Sequence, residues 1–229
     1  APFAFAVRAR DLAAPGSDWA AMVHDAAFVR CDTEATRAAL IGLLPEAEGK
    51  AIVLRDPLTL TPPEDDADMP VAGRRDVNLL AVGTLARRKG YDVLLRACAL
   101  LRDRGLDFTL TLAGGGGAVM GLGRMSAQIV QLRKELALES RVNLPGLISH
   151  NDLPHILESH DIFAAPCIVH KSGRRDGIPN TVIEALAYGL PVVSTTVNAL
   201  PEVVRDGETG LAVPPGDAPA LAEADIGIA

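Results

Sequence analysis

Two carboxylates, eight residues apart, mark the segment of this chain best suited to chemistry. Asp176 belongs to a polar loop, and Glu184 falls one to two turns into a helix predicted over residues 180–188. Between them, Gly177–Thr181 supplies free backbone N–H groups at the helix start, which bind anions with help from the helix dipole. A phosphate could lie there while the carboxylates accept hydrogen bonds from sugar hydroxyls. On spacing alone, a loop acid and a surface helix acid are the commoner interpretation, because acids are frequent near helix starts.

A glycine-rich stretch and five histidines are the other candidates. Gly114–Gly117 could let the backbone approach a phosphate or a base closely, although a plain turn at a strand exit explains it equally well. His150, His155 and His160 are five residues apart, which turns their side chains away from one another on a helix. We therefore predict no metal site and expect solvated or capping histidines throughout. The three cysteines, an odd number in apolar surroundings, indicate reduced core thiols in a cytosolic protein.

Strands and helices that must position these residues alternate from residue 77 onward. Short apolar runs predict strands over 77–82, 108–112, 141–144, 161–165, 191–194 and 211–213. Helices are predicted over 90–104, 126–138, 151–159, 180–188 and, briefly, near 201–204. This alternation with short loops is typical of a doubly wound α/β domain with a parallel sheet. Ligands bind beyond the carboxyl ends of such strands, so we expect the loops that follow the strands to gather at one rim.

The first part of the chain has fewer elements. Strands are predicted over 4–7, 27–30 and 51–54, and helices over 18–25 and 33–44. Three strands are too few for a complete doubly wound half, so residues 1–55 are predicted to form a partial N-terminal α/β domain. Residues 56–75 are rich in Pro and Asp without periodicity, which predicts a linker to the main domain at 76–229.

Composition excludes several classes of function. Hydrophobic residues make up 48%, which rules out disorder as the dominant state. The net charge of −7 and the 3% aromatic content argue against nucleic acid as a partner. No apolar run reaches membrane-spanning length, and the N-terminus lacks the pattern of a signal peptide. We expect a cytoplasmic protein without an integral membrane span, and peripheral contact with the inner face of a membrane stays open.

The carboxylate segment resembles the donor-site motif of family-4 retaining glycosyltransferases, which have the GT-B fold. That motif consists of two acids separated by seven residues, a helix written roughly EAMA-x-GLPVV-x-T, and then PE. The matching residues are Asp176, Glu184, Ala185, Ala187, Gly189, Leu190, Pro191, Val192, Val193, Thr195, Pro201 and Glu202. The DGIPN sequence at 176–180 is typical of one branch, and 206–211 and 215–217 continue the match. Upstream, 82–90 and 113–117 resemble two loops of the family's donor domain, so the resemblance covers about residues 72–220 and, weakly, 5–44.

This resemblance implies a role for each site residue. Glu184 would hold the ribose hydroxyls of the donor, Asp176 would face the transferred sugar, and Lys89 would bind the diphosphate, to which a lysine point charge is well suited. The other implied donor-binding residues are Gly83, Gly115, Gly116, Gly177, Ile178, Asn180 and Thr181. Thr84 stands where the family often has Arg. Arg87 or Arg88 could compensate, although a solvated surface position is expected for both.

The implied reaction is transfer of a sugar from a UDP- or GDP-sugar to a glycan, lipid or small-molecule acceptor, with retention of configuration. It implies no cofactor and no metal, because lysine and helix-end dipoles stabilise the leaving diphosphate. It also implies a place in the synthesis of cell-envelope polysaccharide. The branch has a His-Ala-Arg/Lys-Asp segment on the other side of the cleft, where this chain reads Arg8-Ala-Arg-Asp. Arg8 is therefore predicted as a catalytic-side residue that replaces histidine.

Two other functions stay open. The chain lacks an initiator Met, and most of the acceptor domain and the family's closing C-terminal helix look missing, with an alanine-rich tail at 216–229. Together with Arg8 and Thr84, this leaves open a catalytically inactive, nucleotide-sugar-binding relative or fragment, and any activity is expected to be impaired. A dinucleotide oxidoreductase is weakened, because the G-x-G-x-x-G pattern with a later acid is absent after the first strand.

Overall fold

Two parallel sheets form the framework of the described part of the chain. The computed structural model describes residues 3–9, 11–13, 15–16, 18–58, 60, 77–115, 123–171 and 176–228. One sheet has three strands, the other has six, and all strand pairs in both are parallel. The predicted α/β class with parallel sheets is therefore confirmed. The limits of the N-terminal domain, the linker and the main domain stay a prediction, and most of the linker lies outside the described residues.

The small sheet contains β1 (Ala4–Val7), β2 (Phe28–Cys31) and β3 (Ala51–Val53) in that order. Helices α1 (Trp19–Asp25) and α2 (Glu34–Leu43) connect them. Val23, Val29 and Leu40 are fully buried in a separate apolar cluster beneath this sheet. The local sequence defines the start of α2, because Thr33 precedes it and its Oγ1 accepts the N–H of Thr36 at 3.0 Å.

The large sheet has the strand order β6-β5-β4-β7-β8-β9. Its strands are β4 (Val77–Val82), β5 (Phe108–Ala113), β6 (Val142–Gly146), β7 (Ile162–Ala165), β8 (Val192–Thr195) and β9 (Gly210–Val213). The chain first winds outward from β4 to one edge and then restarts at β7 toward the other edge. The crevice between β4 and β7 is therefore a topological switch point, where open α/β sheets bind ligands.

Helices cover both faces of the large sheet. These are α3 (Tyr91–Asp103), α4 (Gly123–Glu135), α5 (Leu153–Glu158), α6 (Asn180–Ala187) and α7 (Ala218–Ile228). The first two and α7 share one apolar cluster, whereas α5 and α6 share the other. Because both faces are covered, three successive residues of β4, Leu79–Ala81, are all buried, as expected for a strand within a parallel sheet.

The predicted span of α4 was wrong by three residues at each end. The helix runs over Gly123–Glu135 rather than 126–138. Ala137 adopts a left-handed conformation with φ = 50°, and the N–H of Leu138 donates to the carbonyl of Arg133 at 3.0 Å. This pattern closes a helix and normally uses glycine, so alanine at the position gave no signal in the sequence.

Two further elements differ from the predictions. The short helix expected near 201–204 is a single turn of 3-10 helix at Leu200–Glu202. The alanine-rich tail expected at 216–229 forms the helix α7, which packs against α3. Leu221 and Ala222 are buried in this contact. Apolar side chains of α7 therefore hold it against α3.

Candidate functional site

Two loops meet at the centre of the large sheet, beyond the ends of β4 and β7. The loop after β4 contains a 3-10 turn at Arg87–Lys89, and Gly90 ends this turn with φ = 66°. A Cβ atom at Gly90 would lie 1.9 Å from the carbonyl oxygen of Pro166, which follows β7. Only glycine allows this approach, so the turn that carries Lys89 is packed directly against the exit of β7.

Gly114 and Gly115, the described part of the glycine-rich stretch after β5, pack closely against neighbouring segments. A Cβ at Gly114 would lie 1.8 Å from the carbonyl oxygen of Gly83, and one at Gly115 would lie 2.7 Å from the side chain of Leu147. Gly116 lies outside the described residues. The close backbone approach that the structure shows is therefore to the protein itself, and contact with a phosphate or base stays a prediction.

Asp176 binds both cations at the end of the 3-10 turn. Arg88 Nε donates to Asp176 Oδ1 at 2.6 Å. Lys89 Nζ lies 3.1 Å from Asp176 Oδ2, close enough for an ion pair but without hydrogen-bond alignment. The side chains of Lys89 and Asp176 are only 12% and 16% exposed, so solvent screens their attraction weakly. The expectation that Arg88 is solvated surface was wrong, whereas Arg87 is exposed and contacts Gln128.

The position of Arg88 next to Lys89 could have suggested a role in the site from the sequence. Its pairing with Asp176 could not be inferred. Arg88 and Asp176 are 88 residues apart, and the switch-point topology brings their loops together. Asn198, in the loop after β8, also holds Asp176 in place, because its Nδ2 donates to the backbone carbonyl of Asp176 at 2.8 Å. Sequence reasoning missed both Arg88 and Asn198 as contacts of Asp176.

The helix α6 brings Thr181 and Glu184 to the same rim. Thr181 Oγ1 donates to the carbonyl of Val82, the last residue of β4, at 3.1 Å. Glu184 lies one turn further along and is only 6% exposed. Burial raises the pKa of the Glu184 carboxyl, and the nearby His150 acts in the opposite direction. The interpretation of Glu184 as a surface acid was therefore wrong.

The small sheet contacts the start of the α6 loop. Gly177 and Ile178 are half-buried, and Asn180 is exposed at the first position of α6. A Cβ at Gly177 would lie 3.3 Å from Asp32 Oδ2. Among the described residues, Asp32 Oδ1 is buried without a hydrogen-bond partner. Asp32 was not predicted from the sequence, although its position directly after β2 places it at a carboxyl rim, where ligand-binding residues occur.

Arg8 is engaged within the N-terminal part of the chain. Its Nη2 donates to Asp56 Oδ2 at 3.0 Å, and Arg30 Nη2 donates to the other oxygen of Asp56 at 2.5 Å. Arg30, followed by Arg8, lowers the pKa of the Asp56 carboxyl. The guanidinium of Arg8 is thus bound to Asp56, although the neighbouring residue Ala9 lies 4.0 Å from the Cβ position of Gly177.

The histidines and possible metal ligands complete the set of candidates. Within the described ranges, no group of three or more His, Cys, Asp or Glu side chains is arranged to hold a metal ion. His160 is a capping residue rather than a solvated one, because its Nδ1 lies 2.6 Å from the carbonyl of Ile156 in the last turn of α5 and its Nε2 lies 2.9 Å from the hydroxyl of Thr111. Its burial lowers the pKa of the imidazole. In the same ranges, none of the helices is both long enough and apolar enough to cross a membrane.

Comparison with known proteins decides the family. A family model described as "Glycosyl transferases group 1" matches residues 76–228. This chain belongs to the group 1 glycosyltransferases. The matched range contains the whole large sheet and the site residues from Gly83 to Glu184. The dinucleotide oxidoreductase interpretation is therefore not supported for this group 1 glycosyltransferase.

Individual relatives show what this group 1 glycosyltransferase resembles. It is 34% identical to the amylovoran biosynthesis glycosyltransferase AmsK of Erwinia amylovora over 146 residues, which are 64% of this chain and 34% of AmsK. It is 33% identical to a GDP-mannose-dependent phosphatidylinositol monomannoside mannosyltransferase of Mycolicibacterium smegmatis over 147 residues, 64% of this chain and 37% of that protein. The chain therefore spans about a third of the length of these curated relatives.

A solved structure extends the likeness in fold to both sheets. The crystal structure of Anabaena HepE in complex with UDP and glucose superposes with a TM-score of 0.75. The alignment covers 97% of this chain and 60% of HepE at 23% sequence identity. At that identity the comparison establishes the GT-B type of fold and leaves the role of each residue to be tested.

Proposed function

We propose that this group 1 glycosyltransferase acts as a family-4 type, retaining enzyme that transfers a sugar from a nucleotide-sugar to a glycan, lipid or small-molecule acceptor. The proposal is carried by one observation, the convergence of Lys89, Asp176, Thr181 and Glu184 beyond the ends of β4 and β7. A switch point is where such sheets bind nucleotides, and these side chains offer a cation, a helix start and two carboxylates.

Each residue has a distinct task in this proposal. Lys89, which is paired with Asp176, would exchange that carboxylate for the donor diphosphate. The backbone N–H groups of Gly177, Ile178, Asn180 and Thr181, at the start of α6, would bind the same anion. Glu184 would accept hydrogen bonds from the ribose hydroxyls. A buried carboxylate is stabilised strongly by such donors, because burial has removed it from water. Asp176 would then face the transferred sugar.

The donor, the metal requirement and the location belong to the same proposal. Both UDP- and GDP-sugars are candidate donors, since HepE was crystallised with UDP and the name of the mycolicibacterial relative includes GDP-mannose. Lys89 and the dipole of α6 would stabilise the leaving diphosphate without a metal or cofactor. The name of AmsK supports a role in cell-envelope polysaccharide synthesis, for which we propose a cytoplasmic site, at or near the inner face of the membrane.

A specific observation favours the alternative of a nucleotide-sugar-binding relative without catalysis. The guanidinium of Arg8 stands in place of the branch's histidine and is bound to Asp56. A guanidinium that is paired with Asp56 cannot accept a proton, as the neutral imidazole of a histidine could. Binding would then survive through Lys89, in the loop after β4, and Glu184, in α6, while transfer would fail.

Calorimetry with UDP and GDP, followed by turnover with their sugars, tests both candidates. Glu184→Ala should weaken nucleotide binding about tenfold or more, because a hydrogen bond to a charged group contributes about 1.5–3 kcal/mol. Asp176→Ala should act more on turnover than on affinity. Glu208→Ala, at an exposed acid that pairs with Arg205, is the matched control and should change neither.

The outcomes separate the candidates. Retained configuration in the product, observed by NMR and insensitive to EDTA, would support the retaining, metal-independent enzyme. Nucleotide binding without turnover, restored by Arg8→His in a full-length protein, would support the inactive relative. Unchanged nucleotide affinity in Glu184→Ala would remove Glu184 from the site and contradict the proposed donor geometry.

A further inference from the structure

Glu202 reaches from the large sheet to the small one. It lies in the 3-10 turn after β8, and its side chain is 18% exposed. Its Oε1 accepts the backbone N–H of Ala35 at 2.9 Å, and its Oε2 accepts the N–H of Glu34 at 3.1 Å. Arg55 Nη2 donates to Oε2 at 2.9 Å. Three hydrogen bonds to an ionised acceptor, which are stronger than neutral ones, therefore join the two sheets at this residue.

These bonds complete the N-terminal cap of α2. The first N–H groups of a helix have no partner within it. Thr33 satisfies the third of these groups, on Thr36, from within its own segment. Glu202 satisfies the first two, on Glu34 and Ala35, from the other sheet. A carboxylate in this place also interacts favourably with the helix dipole, so the contact has both a geometric and an electrostatic cause.

The same cap fixes the segment that faces the donor loop. Asp32 stands two residues before Glu34, and its Oδ2 lies 3.3 Å from the Cβ position of Gly177. Gly177 adjoins Asp176. A movement of the start of α2 would therefore carry Asp32 away from the loop in which Asp176 is held.

We propose that Glu202 is a positioning residue, which clamps the start of α2 and so holds Asp32 and the small sheet across the loop of Asp176. Its consequence for turnover rests on the proposed function, whereas the clamp itself does not. Lys89 lies in the loop after β4, and Thr181 and Glu184 lie in α6, which packs on the large sheet. Loss of the clamp therefore leaves these nucleotide-binding residues in place and changes only the opposite side of the site.

Glu202→Gln is the discriminating variant. An amide has one acceptor oxygen, and its NH₂ group would face either a backbone N–H or the Arg55 guanidinium as a second donor. We expect amide hydrogen exchange, followed by NMR, to become about tenfold or more faster at Glu34 and Ala35, since about 1.4 kcal/mol is a factor of ten. The amide chemical shifts of Gly177 should also change, because Asp32 then moves relative to it. Glu202→Asp, which keeps the charge, should restore part of the protection at Glu34 and Ala35.

Thr33→Ala is the matched control, because it weakens the local cap on Thr36 but leaves the contacts of Glu202 in place. It should accelerate amide exchange at Thr36 without changing the Gly177 amide chemical shifts, because Glu202 still holds Glu34 and Ala35. An unchanged Gly177 amide chemical shift in Glu202→Gln, or an equal change in Thr33→Ala, would overturn the clamp.

Kinetics test the consequence for the site. In Glu202→Gln, turnover of the nucleotide-sugar should fall about tenfold or more, while KM for the donor and the calorimetric affinity for UDP stay unchanged. A general loss of folded protein would instead lower the stoichiometry of UDP binding in the calorimetry together with turnover, whereas loss of the clamp should leave that stoichiometry unchanged. If the unmodified protein binds no nucleotide, the proposed function fails, and the NMR experiment still decides whether Glu202 acts as a clamp.

Discussion

Asp225 lies inside the contact between α7 and α3, and its burial should make the stability of the protein depend on pH. Its side chain is 3% exposed, and within the described part of the chain neither carboxylate oxygen has a hydrogen-bond partner. Burial raises the pKa of Asp225 from 3.8 to about 8. The folded protein thus holds this proton at neutral pH, whereas the unfolded chain releases it near its ordinary value.

The sign and the size of the effect follow from these two pKa values. Below about pH 4 both states are protonated and Asp225 adds no pH dependence. As pH rises from there to about 8, only the unfolded state loses the proton, so stability falls by about 1.4 kcal/mol for each pH unit. Between pH 5 and 7 this amounts to about 3 kcal/mol, a large fraction of the 5–15 kcal/mol typical of a folded domain.

Urea denaturation at pH 5, 6, 7 and 8 measures this dependence when the protein is compared with Asp225→Asn. An amide does not ionise, so the free energy of unfolding of the variant, relative to the unmodified protein, should rise by about 3 kcal/mol from pH 5 to 7. Glu223→Gln removes an exposed acid of the same helix, paired with Arg104, and should run parallel to the unmodified protein. If Asp225→Asn also runs parallel, Asp225 is not buried as an acid, and α7 does not dock as described.

Two other substitutions test the packing of the site. Gly114→Ala should destabilise the protein by about 1–3 kcal/mol in urea denaturation, because its Cβ would lie 1.8 Å from a carbonyl oxygen of the loop after β4. Gly42→Ala, which meets no atom within 4 Å, should be neutral or stabilising by up to about 1 kcal/mol, and equal losses in both would contradict the close approach. Arg88→Met should lower the free energy of unfolding by about 1–2 kcal/mol, because Asp176 then keeps a single cation in a shielded position. Arg87→Met, at the exposed neighbour, should change it by less than about 0.5 kcal/mol, and a matching loss there would show that the ion pair is not responsible.

The sequence by itself determined the α/β alternation and the rim at which chemistry can occur. Short apolar runs ending in glycine or polar loops mark parallel strands buried on both faces, and β4 and β5 lie within one residue of their predicted limits. The acids at 176 and 184, with a helix start between them, were visible as candidates, although spacing alone favoured ordinary acids and only the family resemblance implied their roles. The family resemblance on the same residues agrees with the match over 76–228.

Only the tertiary structure decided which of these residues meet. Periodicity reports which face of an element is apolar, but it carries no information on which loops become neighbours. Arg88 and Asp176 pair across 88 residues because the sheet restarts at β7 beside β4. Glu202 caps α2 across about 168 residues, and Glu184 is buried because the packing of α6 places it at the rim. Such contacts depend on the order of the strands and on how the two sheets pack. The apolar pattern of an element reflects only which of its own faces is buried, so it cannot predict them.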